Sequence, residues 1–111
     1  MPRMTLQVRL VLRMLAEEPE QRRYGLEIVD GTGLLPGTIY PILARLEQAG
    51  WVDSEWEALD ESAAGRPRRR YYRLTAAGRT AAAAAAQSAV TQRRQAGLRT
   101  SLGHALPGGT V

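Results

Sequence analysis

The segment of residues 34–50 places the strongest constraint on how this chain can fold, because its apolar side chains recur at i, i+3, i+4 and i+7. That spacing aligns them on one face of an α-helix and predicts that the face packs on a core. The four residues are Ile39, Ile42, Leu43 and Leu46. The opposite face has few charges, so it can approach another surface closely. Its residues are Thr38, Pro41, Ala44, Arg45 and Gln48, with Tyr40 at the edge.

Two prolines and a glycine bear on where this helix begins and ends. Gly50 ends it, because glycine adopts the left-handed conformation there without a Cβ penalty. Pro36 suits the first helical position, where its missing N–H has no partner within the helix to lose. Pro41 leaves two alternatives, since an interior proline presses on the carbonyl four residues earlier. Either the helix begins near Thr38, or it begins at Pro36 and bends near Gly37.

The composition indicates one domain and excludes several kinds of chemistry. The chain has 111 residues, no cysteine and a single histidine, which excludes disulfides, thiolate zinc sites and redox sensing. All 15 basic residues are arginine, and the net charge of +4 allows a polyanionic partner without requiring one. No segment approaches the ~20 apolar residues that span a bilayer, so we expect a cytoplasmic protein with no membrane partner. The sequence has neither a glycine-rich phosphate loop nor a nucleophile motif, so no enzyme and no cofactor are expected.

The flanking segments predict the parts of a winged helix-turn-helix. Thr5 caps a first helix that ends near Glu17, and residues 24–30 form a short second helix before a turn at residues 31–33. A short helix, a glycine-containing turn and a longer helix are the parts of a helix-turn-helix, whose second helix enters the major groove of DNA. Aromatic and β-branched residues predict two antiparallel strands at residues 51–56 and 69–74, joined by a long wing.

The last helix is predicted by its alanine content, with Thr75 as its cap and an end near Ala96. The expected fold is therefore mainly α with a small β-hairpin: a winged helix-turn-helix DNA-binding domain at residues 1–75, a C-terminal dimerisation helix at residues 76–96 and a disordered tail at residues 97–111. A homodimer is expected because a domain of this size has little core to spare, and so long a helix has little of its own subunit to cover it. The residues expected at the dimer surface are Leu6, Leu10, Met14, Ala82, Ala86 and Val90.

Two groups of residues are candidates for contact with a double-stranded DNA operator. On the long helix, Thr38 and Arg45 are expected to read bases, while Tyr40 and Tyr24 are expected to bind phosphates. Gly37 belongs to the same surface. In the wing, the basic residues are expected to give salt-sensitive affinity, and they are Arg66, Arg68, Arg69 and Arg70. The alternatives are an ordinary core helix and a solubilising charge run, although the second fits the acidic half of the wing better than the basic half. Trp56, at the start of the wing, is read as a cap on the core, a contact to the DNA backbone or an exposed side chain.

Three blocks of sequence, in this order, resemble the PadR family of bacterial transcriptional regulators, in particular its short members with a single C-terminal helix. They are residues 24–28, residues 36–46 with Gly50, and residues 65–75 with Gly78. The resemblance implies a repressor that dimerises through its first and last helices, binds a palindromic operator and is released by a small aromatic or drug-like effector. Three features depart from the family: Leu35 stands where serine often caps the helix, the second helix is shorter than usual, and the last helix has no tryptophan. The alternative function is a winged-helix module that binds a protein without reading a DNA sequence.

Overall fold

The computed structural model describes residues 2–105 of the chain and the side chains of residues 2–98. Its elements are α1 (Leu6–Glu17), β1 (Arg23–Tyr24), α2 (Gly25–Thr32), α3 (Pro36–Gln48), β2 (Val52–Trp56), α4 (Glu61–Ala64), β3 (Arg70–Leu74) and α5 (Ala76–Ala105). The three strands form one antiparallel sheet in the order β1-β3-β2. The predicted fold class is confirmed. Within residues 2–105, no helix is both long enough and apolar enough to cross a membrane.

The core lies where α1, α2, α3 and the sheet meet. The four apolar residues predicted from the spacing in α3 are all at most 2 % exposed. They pack with Val11, Leu12 and Leu15 of α1 and with Ile28 of α2. Burial of each branched side chain contributes about 1.5–3 kcal/mol, so this cluster fixes the position of α3. Trp51, Tyr72 and Leu74 are buried as well and belong to the same core.

The start of α3 decides between the two starting points that Pro41 left open. The helix begins at Pro36, which occupies the first turn, and Pro41 lies inside it. Leu35 is the N-cap in an extended conformation and has no side-chain hydrogen bond to the helix. At the other end, Gly50 has φ 78°, the left-handed conformation that favours glycine.

Two elements of the structure do not follow from the sequence pattern. Residues 20–23 have the composition of a polar connector, but Arg23 and Tyr24 form β1, which pairs with β3 and turns the predicted hairpin into a three-stranded sheet. A strand of two residues is too short to show alternation. The wing also contains the single-turn helix α4, which Asp60 caps by accepting hydrogen bonds from the N–H groups of Ser62 and Ala63. Gly65, with φ 69°, ends this turn.

The helix α5 begins as predicted and continues further than predicted. The Thr75 hydroxyl accepts a hydrogen bond from the N–H of Gly78 at 3.0 Å and donates one to the carbonyl of Gly50 at 2.6 Å. The helix then runs through Gly97 to Ala105, so residues 97–105, predicted to be disordered, are helical. Each of the two glycines in this extension, Gly97 and Gly103, costs only about 1 kcal/mol relative to alanine, and the next proline comes after Ala105. The rest of the expected tail, residues 106–111, lies outside the described residues.

Candidate nucleic-acid interface

The surface of α3 that faces away from the core has few charges. Gly37, Pro41 and Ala44 are exposed on it, and Thr38 is half-buried at its start. Because glycine, proline and alanine project little, the backbone of α3 can come close to a flat or grooved surface. The predicted face of the helix is therefore the one that the fold leaves open.

Arg45 stands apart from the wing, at the end of α3 that lies near α1. It is exposed and lines a small cavity of about 190 Å³ together with Arg3 and Thr5. Among residues 2–98, its guanidinium takes part in none of the ion pairs. Its guanidinium therefore has donors available for a group outside the subunit.

Tyr40 joins α3 to the beginning of α2. Gly25 is buried under it, and a Cβ on Gly25 would lie 2.3 Å from Tyr40 Oη. Glycine at this position therefore lets the tyrosine ring lie directly on the first turn of α2. The ring remains 43 % exposed, so it is shared between the packing of the two helices and the open surface.

Tyr24 connects the helix-turn-helix to the wing. The guanidinium carbon of Arg69 lies 4.3 Å from the centre of the Tyr24 ring, a cation–π distance. The ring of Tyr71 meets it edge to face, with the centroids 5.8 Å apart and the planes at 70°. Tyr24 is half-buried between these two contacts. It supports the wing in addition to its expected role at a phosphate.

Glu57 collects four hydrogen bonds at the base of the wing. Arg66 donates to its two carboxylate oxygens at 2.8 and 3.2 Å. The backbone N–H of Arg69 and the hydroxyl of Tyr71 donate to it at 3.4 and 3.3 Å. The hydrogen bond from Arg66 is the main cause that lowers the pKa of Glu57 from its ordinary 4.5 to about 2. Glu57 is therefore ionised at neutral pH.

Arg68 and Arg70 are held more loosely. The nitrogen Nε of Arg68 lies 3.3 Å from an oxygen of Glu61, and both side chains are exposed. Arg70 lies 3.6 Å from Glu47, and its guanidinium carbon is 5.1 Å from the centre of the Trp56 ring. Exposed ion pairs contribute about 0–1 kcal/mol, so a phosphate can replace these carboxylates at little cost.

The wing and the start of α2 and α3 enclose a shallow groove of about 550 Å³. The predicted residues Tyr24, Tyr40 and the four wing arginines line it, whereas Gly37, Thr38 and Arg45 lie outside it on α3. Two exposed apolar residues also line it: Leu26, which the sequence did not assign to DNA contact, and Trp56, for which contact with the DNA backbone was one of three readings. Trp56 is 59 % exposed and covers no core. Of its three readings, the cap on the core is wrong.

Within the described residues, no cluster of histidine and carboxylate side chains could hold a metal ion.

A second groove, of about 520 Å³, runs between α1 and α5. It contains most of the predicted dimer residues, namely Leu6, Leu10, Ala82, Ala86 and Val90. Leu6 is 69 % exposed, whereas Ala82 is only 7 % exposed because α5 packs on α1 of the same subunit. Met14 lies elsewhere: a Cβ on Gly31 would be 2.7 Å from its terminal methyl, so Met14 packs on α2.

The arrangement defines a class of protein. The helices α2 and α3 form a helix-turn-helix whose turn contains Gly33 at φ 73°, and β2 and β3 form the wing beside it. The protein is thus a winged helix-turn-helix with a long C-terminal helix.

The family follows from comparison with known proteins. Residues 11–84 match the Transcriptional regulator PadR-like family, and the chain belongs to this family of DNA-binding transcriptional regulators. It is not a member of an enzyme family. No curated protein sequence matches the chain.

Solved structures of similar fold agree with this assignment. A PadR family transcription regulator from Clostridium difficile R20291 superposes with a TM-score of 0.72 and 24% identity, covering 86% of this chain and 99% of the other. A PadR family regulator from Eggerthella lenta DSM 2243 has a TM-score of 0.69 and 25% identity, covering 86% and 87%. A protein from Streptococcus mutans UA159 has a TM-score of 0.65 and 25% identity, covering 84% and 87%.

Proposed function

We propose that the protein is a homodimeric repressor that binds a palindromic DNA operator and is released from it by a small molecule. The observation that carries the proposal is that the open face of α3, the predicted reading residue Arg45 and the arginines of the wing belong to one helix-turn-helix and its wing. In this arrangement α3 enters the major groove, where Thr38 and Arg45 contact base edges. Gly37 lets the backbone approach, and Tyr24 and Tyr40 bind phosphates beside the groove.

The wing supplies the sequence-independent part of the affinity. Arg68, Arg69 and Arg70 lie at the groove between the wing and α2, and each meets an exposed or half-buried carboxylate or an aromatic ring. A phosphate backbone displaces such weak partners, and each neutralised phosphate adds ~0.9 to the slope of log affinity against log salt.

A second copy of the chain is the occupant we propose for the surface of α1 and α5. Leu6 is left 69 % exposed there, and burial of its side chain against a partner subunit would contribute about 1.5–3 kcal/mol. With 30 residues α5 is about 45 Å long, and its residues 91–98 are exposed in the single subunit.

The groove between α1 and α5 is also where we place the effector. Its volume of about 520 Å³ is within the range of small-molecule sites, and its walls are mainly alanine, leucine and valine together with three arginines and Glu17. Such walls suit a small aromatic or drug-like molecule of neutral or negative charge. Repression, rather than activation, is proposed on the family resemblance.

Selection of bound duplexes from a random DNA library tests the proposal. We expect enrichment of an inverted repeat whose half-sites lie about one helical turn apart, ~34–36 Å. Gel shifts of the enriched duplex and of a scrambled one then measure specificity. If no sequence is enriched and both duplexes bind alike, the module binds something other than an operator, and the protein-interaction alternative takes its place.

A further inference from the structure

The base of the wing is closed by one pair of side chains. Glu57 follows β2 directly, and Arg66 follows the glycine that ends α4, so their ion pair joins the two arms of the wing across nine positions of sequence. The arms are also joined by a backbone hydrogen bond of 2.8 Å from the N–H of Glu57 to the carbonyl of Arg69. We call the pair of Glu57 and Arg66 the wing clasp.

Hydrogen bonds within the wing use three of the five N–H donors of Arg66. Both of its terminal nitrogens donate to Glu57, and one of them also reaches the carbonyl of Pro67 at 3.2 Å. The two-pronged hydrogen bonding of arginine with a carboxylate is stronger and more directional than a single ion pair. Arg66 is therefore engaged in a way that Arg68 and Arg70 are not.

The clasp also sets where the other wing arginines lie. The same carboxylate accepts the backbone N–H of Arg69 and the hydroxyl of Tyr71, so it fixes the residues on both sides of Arg70. Arg69 then stacks on Tyr24, which precedes α2 directly. The path from the clasp to the helix-turn-helix is continuous through these contacts.

We propose that Arg66 is not a phosphate ligand and that Glu57 and Arg66 together are positioning residues that hold Arg68, Arg69 and Arg70 in the geometry needed for DNA. This inference rests on the proposed function and replaces the phosphate-binding role that the sequence pattern predicted for Arg66. The low pKa of Glu57 agrees with it, since the carboxylate is charged wherever the protein meets DNA.

The decisive variant is Glu57→Gln, because an explanation by charge alone and an explanation by positioning predict opposite changes in DNA affinity. Removal of a negative charge beside DNA strengthens binding if charge alone matters. If the clasp positions the wing, the variant instead binds the selected duplex about tenfold more weakly, the scale set by the loss of one charge-assisted hydrogen bond. The matched control is Glu61→Gln, which removes the same charge from the exposed partner of Arg68 and is expected to keep or raise the affinity.

Salt dependence separates positioning from phosphate binding. Arg66→Ala is expected to lower affinity while leaving the slope of log affinity against log salt unchanged. Arg68→Ala is expected to reduce that slope by ~0.9 for each phosphate that the variant no longer neutralises. In a double-mutant cycle, Glu57→Ala with Arg66→Ala is expected to bind no worse than either single variant, since both remove the same clasp.

Two results would overturn the inference: tighter binding by Glu57→Gln, or a slope that falls in Arg66→Ala as it does in Arg68→Ala. Circular dichroism and thermal melting of each variant show that the core is intact, which we expect because neither residue belongs to it. Failure of the parent protein to bind any selected duplex would instead refute the proposed function, so the two failures are distinguishable.

Discussion

Replacement of Gly78 by alanine tests how closely α5 is held against the winged domain. On helix propensity alone, Gly78→Ala stabilises the protein by about 1 kcal/mol, because alanine is the better helix former. The structure instead predicts that Gly78→Ala lowers the stability of the protein. A Cβ on Gly78 would lie 1.9 Å from the carbonyl oxygen of Trp51, where ordinary contact begins at 3.4 Å.

The magnitude follows from what must move. To relieve the clash, the start of α5 has to retreat by about 1.5 Å, and overpacking of this kind costs about 1–3 kcal/mol. The retreat also strains the hydrogen bonds of Thr75 to the carbonyls of Trp51 and Gly50, now 3.0 and 2.6 Å long, which contribute about 0.5–1.5 kcal/mol each. After the propensity gain is subtracted, we expect a net destabilisation of about 2 kcal/mol.

Urea unfolding followed by circular dichroism, at one fixed protein concentration, measures the difference. Gly97→Ala is the matched control, because Gly97 lies in the same helix and a Cβ there would meet nothing within 4 Å. That variant is expected to be as stable as the parent or more stable, by up to ~1 kcal/mol. If Gly78→Ala proves as stable as Gly97→Ala, the close approach of α5 to Trp51 is refuted.

Three further predictions concern the DNA face, the dimer and the wing. Arg45→Ala and Thr38→Ala are expected to relax preference at particular bases by about 1–3 kcal/mol, whereas Tyr40→Phe is expected to weaken binding to all duplexes alike. Gel shifts on operator and scrambled DNA measure both effects. Equal binding by all three variants and the parent would show that another face reads DNA. Leu6→Arg places a charge on a side chain that is exposed in the single subunit, so it is expected to halve the solution mass in sedimentation without unfolding the domain; an unchanged mass would place the dimer elsewhere. The pKa of Glu57 is lowered by folding, so its contribution to stability is complete above pH 4.5 and is lost as the pH falls toward 2. The stability difference between the parent and Glu57→Gln should therefore vanish in that acid range, and a difference that persists at pH 2 would contradict the assignment.

The sequence predicted those parts of the fold that depend on local spacing. The four-residue stripe of α3 and the caps Thr5 and Thr75 follow from contacts within one or two helical turns, and the structure confirms them. The strand β1 could not be predicted from local spacing, because its two residues form a strand only by pairing with Tyr71 and Tyr72, which lie far along the chain.

The candidate site shows the same division. The basic composition of residues 66–70 is visible in the sequence, but their availability is not. Whether an arginine meets a carboxylate, a ring or solvent depends on residues such as Glu57 and Tyr24, which the fold brings to it from nine to 45 positions away. Residue type predicted that the wing is basic, and only the three-dimensional arrangement distinguishes Arg66 from its neighbours.

The junction at Thr75 has a mechanical consequence. Its hydroxyl and N–H hold the carbonyls of Gly50 and Trp51, which lie two and three residues after the end of α3, so the end of α3 and the start of α5 share one rigid joint with no free linker. In a dimer of the proposed kind, α5 then acts as a lever about 45 Å long. A tilt of roughly 5° moves the far end of such a lever by about 4 Å, a displacement comparable to one base-pair step of about 3.4 Å. A ligand that alters the angle between the two α5 helices of a dimer would change the separation of the two α3 helices by about one base-pair step, enough to disturb their fit to two half-sites.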